Sequence, residues 1–168
     1  MTLKEKVQQD LNKAIKQKEE LASVVLRMLN AAVLNKEKEK RYKLSQEKPD
    51  LKEEELVKES RLGEEELVNV IAAEIKKRRE AAADYEKGNR KELAEKEKKE
   101  IEILQQYLPE QMPEEELKKL AQQAIDKVGA KEPKDMGKVM SELMDQVKGK
   151  ADGGLVSKIV KELLLPQK

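Results

Sequence analysis

Cysteine, histidine, phenylalanine and tryptophan are all absent from the chain. Without cysteine there is no disulfide, no thiolate nucleophile and no thiolate metal site. Without histidine there is no imidazole to serve as general base, zinc ligand or switch near neutral pH. Three tyrosines are the whole aromatic complement, 2% of the residues. Tyr42, Tyr85 and Tyr107 are too scattered to build a platform on which single-stranded bases stack. Charge of one sign is missing too: 36 Lys and Arg face 35 Asp and Glu, a net of +1. No global field draws in nucleic acid or an acidic membrane, so any such contact depends on a local patch. No apolar run approaches the roughly 20 residues that cross a bilayer. Met1-Thr2-Leu3-Lys4-Glu5-Lys6 is charged from the start and has no apolar signal core. The expectation is a soluble, cytoplasmic protein that makes no membrane contact and needs no cofactor and no metal.

What the 168 residues do contain is charge, at 42%, and aliphatic side chains, within an apolar fraction of 38%. Leu, Ile, Val, Ala and Met suit thin cores between helices. Thr2 and Glu5 fit a capping box, and Leu3, Val7, Leu11, Ala14 and Ile15 follow at helical spacing. Leu21, Val24, Val25, Met28, Leu29, Ala32 and Val33 form a second stripe. Lys36 to Lys43 reads as a solvated helical extension, Pro49-Asp50 as a break, and Gly63 as a boundary. Leu67, Val68, Val70, Ile71 and Ile75 make a third stripe, and Gly88-Asn89 reads as a helix stop with a fresh N-cap. A charged helix then carries Leu93, Ile101, Leu104 and Leu108.

After Pro109 the helices become short. Pro113 and Glu114-Glu115-Glu116 suit a helix start, with Leu117, Leu120, Ala121, Ala124, Ile125 and Val128 on one face and Gly129 at the end. Met136, Val139, Met140, Leu143 and Val147 define the next helix. Asp152 caps the last, with Leu155, Val156, Ile159, Val160 and Leu163 inward. No segment alternates with a period of two. The fold class is all-α: an N-terminal module of long helices over 1–95, a connecting helix over 96–109 and a small C-terminal three-helix bundle over 110–168.

The most informative stretch is Lys148-Gly149-Lys150-Ala151-Asp152-Gly153-Gly154, with Gly137-Lys138 earlier. Lys138 and Lys158 point away from the apolar faces of their helices, and Lys148 and Lys150 lie in a turn before a helix start. Lysines beside first-turn amides make a phosphate site, and glycines let a backbone approach. The same residues also have a purely structural reading, in which Gly149 ends a helix, Asp152 caps the next and Lys138 pairs with Glu142.

Leu104-Gln105-Gln106-Tyr107-Leu108-Pro109-Glu110-Gln111, Asp135-Met136-Gly137-Lys138-Val139-Met140 and Lys148-Gly149-Lys150-Ala151-Asp152-Gly153 resemble, in order and spacing, the GatB/YqeY family in its stand-alone YqeY-like form. Leu26-Arg27-Met28-Leu29 and Glu74-Ile75-Lys76-Lys77-Arg78 match more loosely. In the family, a related helical module forms the tail of the B subunit of the tRNA-dependent amidotransferase. That enzyme amidates misacylated tRNA with glutamine and ATP, and the tail grips the outer corner of the tRNA. Similar modules are appended to some glutaminyl-tRNA synthetases. The resemblance thus implies a tRNA-binding accessory module, working alone or with amidotransferase subunits or an aminoacyl-tRNA synthetase. Its implied phosphate contacts are Lys138, Lys148, Gly149, Lys150 and Lys158, with Asp152 and Gly153 shaping the turn.

The family's label, carbon–nitrogen ligase with glutamine as amido donor, has no catalytic counterpart in these residues. Ser23, Ser45, Ser60, Ser141 and Ser157 sit in no nucleophile motif. Gly137-Lys138-Val139 lacks the spacing and hydroxyl of a phosphate-binding loop. No residue is assigned a catalytic role. Lys76, Lys77 and Arg79 form a secondary basic patch, although consecutive helical cations splay around the axis, and Arg78 flanks the apolar stripe where its stem can lie along the core. The alternative function is a helical adaptor or structural protein, whose long charged helices pair with a partner or with themselves.

Overall fold

The computed structural model describes residues 1–110 and 112–165. Among these, the chain forms eight α-helices and one short 3-10 turn, with no strand. It divides into two compact units, Met1–Leu108 and Pro109–Lys168. No helix among the described residues is long and apolar enough to cross a membrane.

The first unit holds α1 (Leu3–Gln17), α2 (Glu20–Glu47), α3 (Glu53–Glu59), α4 (Glu64–Lys87) and α5 (Lys91–Gln105). The Thr2 hydroxyl accepts from the Glu5 amide while Glu5 accepts from the Thr2 amide, closing the capping box at the start of α1. Gly63 and Glu66 begin α4, the Gly63 amide donating to the Glu66 carboxylate at 2.9 Å. Two helices end in Schellman turns whose left-handed residue is not glycine. Lys18 has φ 58 with the Glu19 amide on the Ala14 carbonyl, and Asn89 has φ 54 with the Arg90 amide on the Tyr85 carbonyl. At the second, Gly88 is the C-cap of α4 with negative φ and Arg90 precedes α5, so the fresh N-cap expected at Asn89 is displaced by one residue.

α4 runs antiparallel to both α2 and α5. Lys40 meets Glu66, and Arg78 meets both Met28 and Glu100. α5 covers most of the segment read as a connector and packs along α4 inside this unit. The core gathers Leu11, Leu26, Leu29, Ile71, Ile75 and Leu104 among others. Leu26 lies in it, whereas Val24 and Met28, expected in the stripe, stand on the outer side of α2. Ile15 and Leu93 are likewise exposed, with Ala94 taking the inward position on α5. The extension Lys36–Lys43 is only partly solvated. Glu37 is buried, bonded to Lys4 Nζ at 2.6 Å and accepting from the Leu62 amide.

Arg78 provides the strongest buried polar feature. Its Nε donates to Glu100 at 3.0 Å and its Nη1 to Glu74 at 2.8 Å, with all three side chains buried between α4 and α5. Tyr107, from the motif that begins at Leu104 and ends at Gln111, is a pin rather than a stacking surface. Its hydroxyl donates to Asp10 at 2.8 Å and the Lys6 ammonium lies 5.6 Å from its ring centre. Burial, with the Asp10 carboxylate beside it, pushes the phenol well above its usual range.

The second unit holds α6 (Glu114–Val128), a 3-10 turn (Pro133–Asp135), α7 (Met136–Val147) and α8 (Gly153–Leu164). Leu117, Ala121, Val139, Leu143, Val156 and Val160 meet at its centre, all fully buried. Gly129, at φ 66, ends α6 in a Schellman turn through the Ala130 amide on the Ile125 carbonyl. The bundle is small, and its alternating helix directions bring the starts of α6 and α8 to one end.

Candidate nucleic-acid interface

That end is tied together by the backbone. The Met112 amide donates to the Lys150 carbonyl at 2.7 Å, joining the entry of α6 to the loop before α8. The loop is a type II β-turn over Val147–Lys150. Lys148 has φ −57 and ψ 122, Gly149 has φ 74, and the Lys150 amide bonds to the Val147 carbonyl at 2.9 Å. The third position of such a turn needs positive φ, which explains why glycine stands there. The sequence therefore places Lys148 and Lys150 on either side of a tight, hydrogen-bonded corner.

Asp152 follows as the cap of α8, its Oδ1 accepting from the Gly154 amide at 2.9 Å and the Leu155 amide at 3.1 Å. Two first-turn amides expected to greet a phosphate are thus committed to the protein's own carboxylate, and attraction for an anion rests on the lysines. Gly153 is exposed, with nothing within 4 Å of the position a Cβ would take. Gly137, in the first turn of α7, is equally open. At neither glycine does a neighbour demand the missing side chain. Gly154 differs, since a Cβ there would meet Asp152 Oδ1 at 3.0 Å.

The residues singled out from sequence do not converge on one spot. Lys148, Gly149, Lys150, Asp152 and Gly153 share the corner. Lys138 lies in the first turn of α7, about 15 Å away along the helix from Lys148. Its ammonium pairs with Asp135 at 3.3 Å rather than with Glu142, which is held by Lys127 from α6. The Asp135 carboxyl is pulled below its usual range, first by the Lys131 amide and then by Lys138. Lys158 stands on α8 within 4.0 Å of Glu162. On α6 the hydrogen bond and charge of Lys118 lower the Glu114 carboxyl, with Lys158 adding to them. Lys158 therefore belongs to a sign-balanced lattice across α6 and α8.

Acidic groups also reach the corner itself, which sequence reasoning did not anticipate. A cleft of about 390 Å³ is lined by Lys150 together with Pro109, Glu110, Met112, Pro113 and Glu116. The signal was present in Glu114-Glu115-Glu116, but only the bundle's connectivity brings that run beside Lys150. In the first unit, Lys76, Lys77 and Arg79 are exposed while Arg78 turns inward, so four consecutive cations do not form one patch. Lys77 bonds to Glu74 at 2.7 Å. Gln111, the last residue of the motif beginning at Leu104, lies outside the described residues. No group of three or more acidic residues suited to hold a metal ion occurs among the described residues.

A family model described as Yqey-like protein matches residues 47–164. The match takes in α3 to α8 and well over half of the chain. The chain belongs to the Yqey-like protein family. The looser motif Glu74–Arg78 falls inside the matched region and Leu26–Leu29 before it. No curated protein matches the chain.

Proposed function

We propose that the protein is a tRNA-binding accessory module whose second unit holds phosphates at the Val147–Lys150 corner, without a catalytic site of its own. The observation that carries this reading is the type II turn, which sets Lys148 and Lys150 on one rigid loop beside an exposed glycine at the start of α8. The turn matters because a backbone already fixed loses less freedom when an anion docks on the lysines it carries. Open Cβ space at Gly153 leaves room for a nucleic-acid backbone. Family membership supports the reading, through the likeness between Yqey-like proteins and the tail of the amidotransferase B subunit.

In this reading Lys148 and Lys150 make the principal contacts, Gly149 sets the turn, and Asp152 and Gly153 shape it. Lys138 and Lys158, being paired and further off, contribute general attraction. Lys76, Lys77 and Arg79 on the first unit give a second, weaker contact. Sparse aromatics favour recognition of shape and phosphate over single-stranded bases. The setting is the cytoplasm, and the larger assembly is an amidotransferase or an aminoacyl-tRNA synthetase, with the carbon–nitrogen ligase chemistry supplied by other subunits. The test compares a folded tRNA with a single-stranded RNA of equal length by fluorescence anisotropy. Tighter binding of the tRNA is expected; equal or absent binding contradicts the reading.

A second reading, a helical adaptor acting through protein contacts, is favoured by an open groove on the first unit.

A further inference from the structure

We infer that the groove between α2 and α4 is a self-association surface, occupied by α2 of a second copy of this chain in an antiparallel, two-fold arrangement. The groove has a volume of about 850 Å³. Small residues, Ala31 and Ala32 on α2 and Ala73 on α4, line it, and Met28, Leu62 and Val70 add apolar surface. Alanines let a further helix approach closely, and the groove runs along about three turns of α2 and of α4 rather than closing around a small molecule.

The sequence of α2 identifies the occupant. Val24, Met28, Ala31, Asn35, Lys38 and Tyr42 are spaced four, three, four, three and four residues apart. This is the heptad rhythm of a helix that packs against another long helix. The row spans about 27 Å and is separate from the buried stripe of Leu26, Leu29 and Val33. Met28 is 50% exposed and Tyr42 68% exposed. Soluble surfaces tolerate one such residue without explanation, but here two share a face with Val24.

Three members of the row, Met28, Asn35 and Tyr42, are evenly spaced. Met28 and Tyr42 lie seven residues on either side of Asn35. An antiparallel pair centred on Asn35 therefore sets Met28 of each copy against Tyr42 of the other, a sulfur–aromatic contact made twice. Asn35 then meets its own copy on the axis, where an amide both donates and accepts. A two-fold interface requires this self-complementarity. The charges agree: Lys36 pairs with Glu39, Lys40 with Glu66, and Glu74 with Lys77 and Arg78, all within one chain. The rim thus carries no field of one sign that would select a strongly acidic or basic partner. One helix pair buries less than the roughly 800 Å² per partner of a standard interface, so association is expected to be weak and to depend on concentration.

The experiment uses the full chain. Sedimentation velocity across a concentration series should show the mass rising from 19.3 kDa toward twice that value. Ala31→Glu and Ala73→Glu change exposed positions and should hold the protein monomeric with unchanged helicity. The absence of cysteine makes introduced thiols clean reporters. Asn35→Cys should cross-link to itself on oxidation. Met28→Cys and Tyr42→Cys should each fail alone, being about 21 Å from their own copies, and should join when mixed. A monomer throughout the series overturns the inference. So does a dimer indifferent to both alanine variants, or one in which Met28→Cys cross-links to itself as readily as Asn35→Cys.

Discussion

The backbone N–H of Met112 donates to the Lys150 carbonyl at 2.7 Å, fastening the entry of α6 to the corner that precedes α8. The bond holds the lysine-bearing turn from outside the segment that forms it. The turn's shape depends on residue 149, where φ is 74. Gly149→Ala is expected to cost the second unit about 1–2 kcal/mol, the penalty for a side chain in left-handed backbone. Gly153→Ala fills open space at the start of a helix and should leave stability level or slightly raised. Thermal melts of the two variants check the contrast; equal effects would mean that position 149 does not require left-handed backbone.

Arg78 gives a second prediction. Its guanidinium is the shared partner of two buried carboxylates, Glu74 and Glu100. Arg78→Ala leaves both without that cation and should destabilise the first unit by about 3–5 kcal/mol. Replacing all three with apolar residues of similar volume should recover most of the loss, because the desolvation cost then disappears as well. Urea titration of the single and triple variants is the measurement. A mild effect of Arg78→Ala would show that water reaches the cluster.

The same cluster sets a pH dependence. Burial raises the Glu74 carboxyl, but hydrogen bonds from Lys77 and Arg78 outweigh it and hold the group below the ordinary carboxylate range. A depressed folded value means stability that is fully present above the unfolded pKa of about 4.3 and is lost as pH falls through the folded value. Wild-type stability should therefore fall as pH drops below about 5, and fall less in Glu74→Gln, whose amide does not titrate. Chemical denaturation at several pH values separates the slopes. Parallel slopes would remove Glu74 from the account.

Lys18 offers a stabilising change. It occupies the left-handed position of a Schellman turn at φ 58, where a Cβ crowds the following carbonyl. Lys18→Gly should raise stability by up to about 1 kcal/mol, while Lys18→Ala, which keeps the Cβ, should do little. The midpoint of thermal unfolding distinguishes them.

The helical fold was legible because its signals are local. The capping box of Thr2 and Glu5, the Gly129 stop, the Asp152 cap and the apolar rows of α6 to α8 each depend on neighbours within a few residues. The errors came where a choice is made by tertiary contacts. Met28 and Val24 satisfy helical spacing as well as Leu26 does, and only the placement of α1, α4 and α5 around α2 decides which row faces inward. Asn89 took the left-handed position that Gly88 could have filled. At the candidate site, sequence placed Lys148 and Lys150 in a turn but merged them with Lys138, which ten residues of helix carry away. It also missed Glu116 beside Lys150, since nothing local joins positions 34 residues apart.

The central claim is that Lys148 and Lys150 hold tRNA phosphates. It is tested most directly by measuring tRNA affinity across a salt series for the intact protein and for the Lys148→Ala/Lys150→Ala double variant. The account predicts a log–log salt slope of several units in the wild type, shallower by about 1.5–2 in the variant as two phosphate contacts are lost. An identical slope in the two proteins, or no binding at low salt by a folded chain, would contradict it.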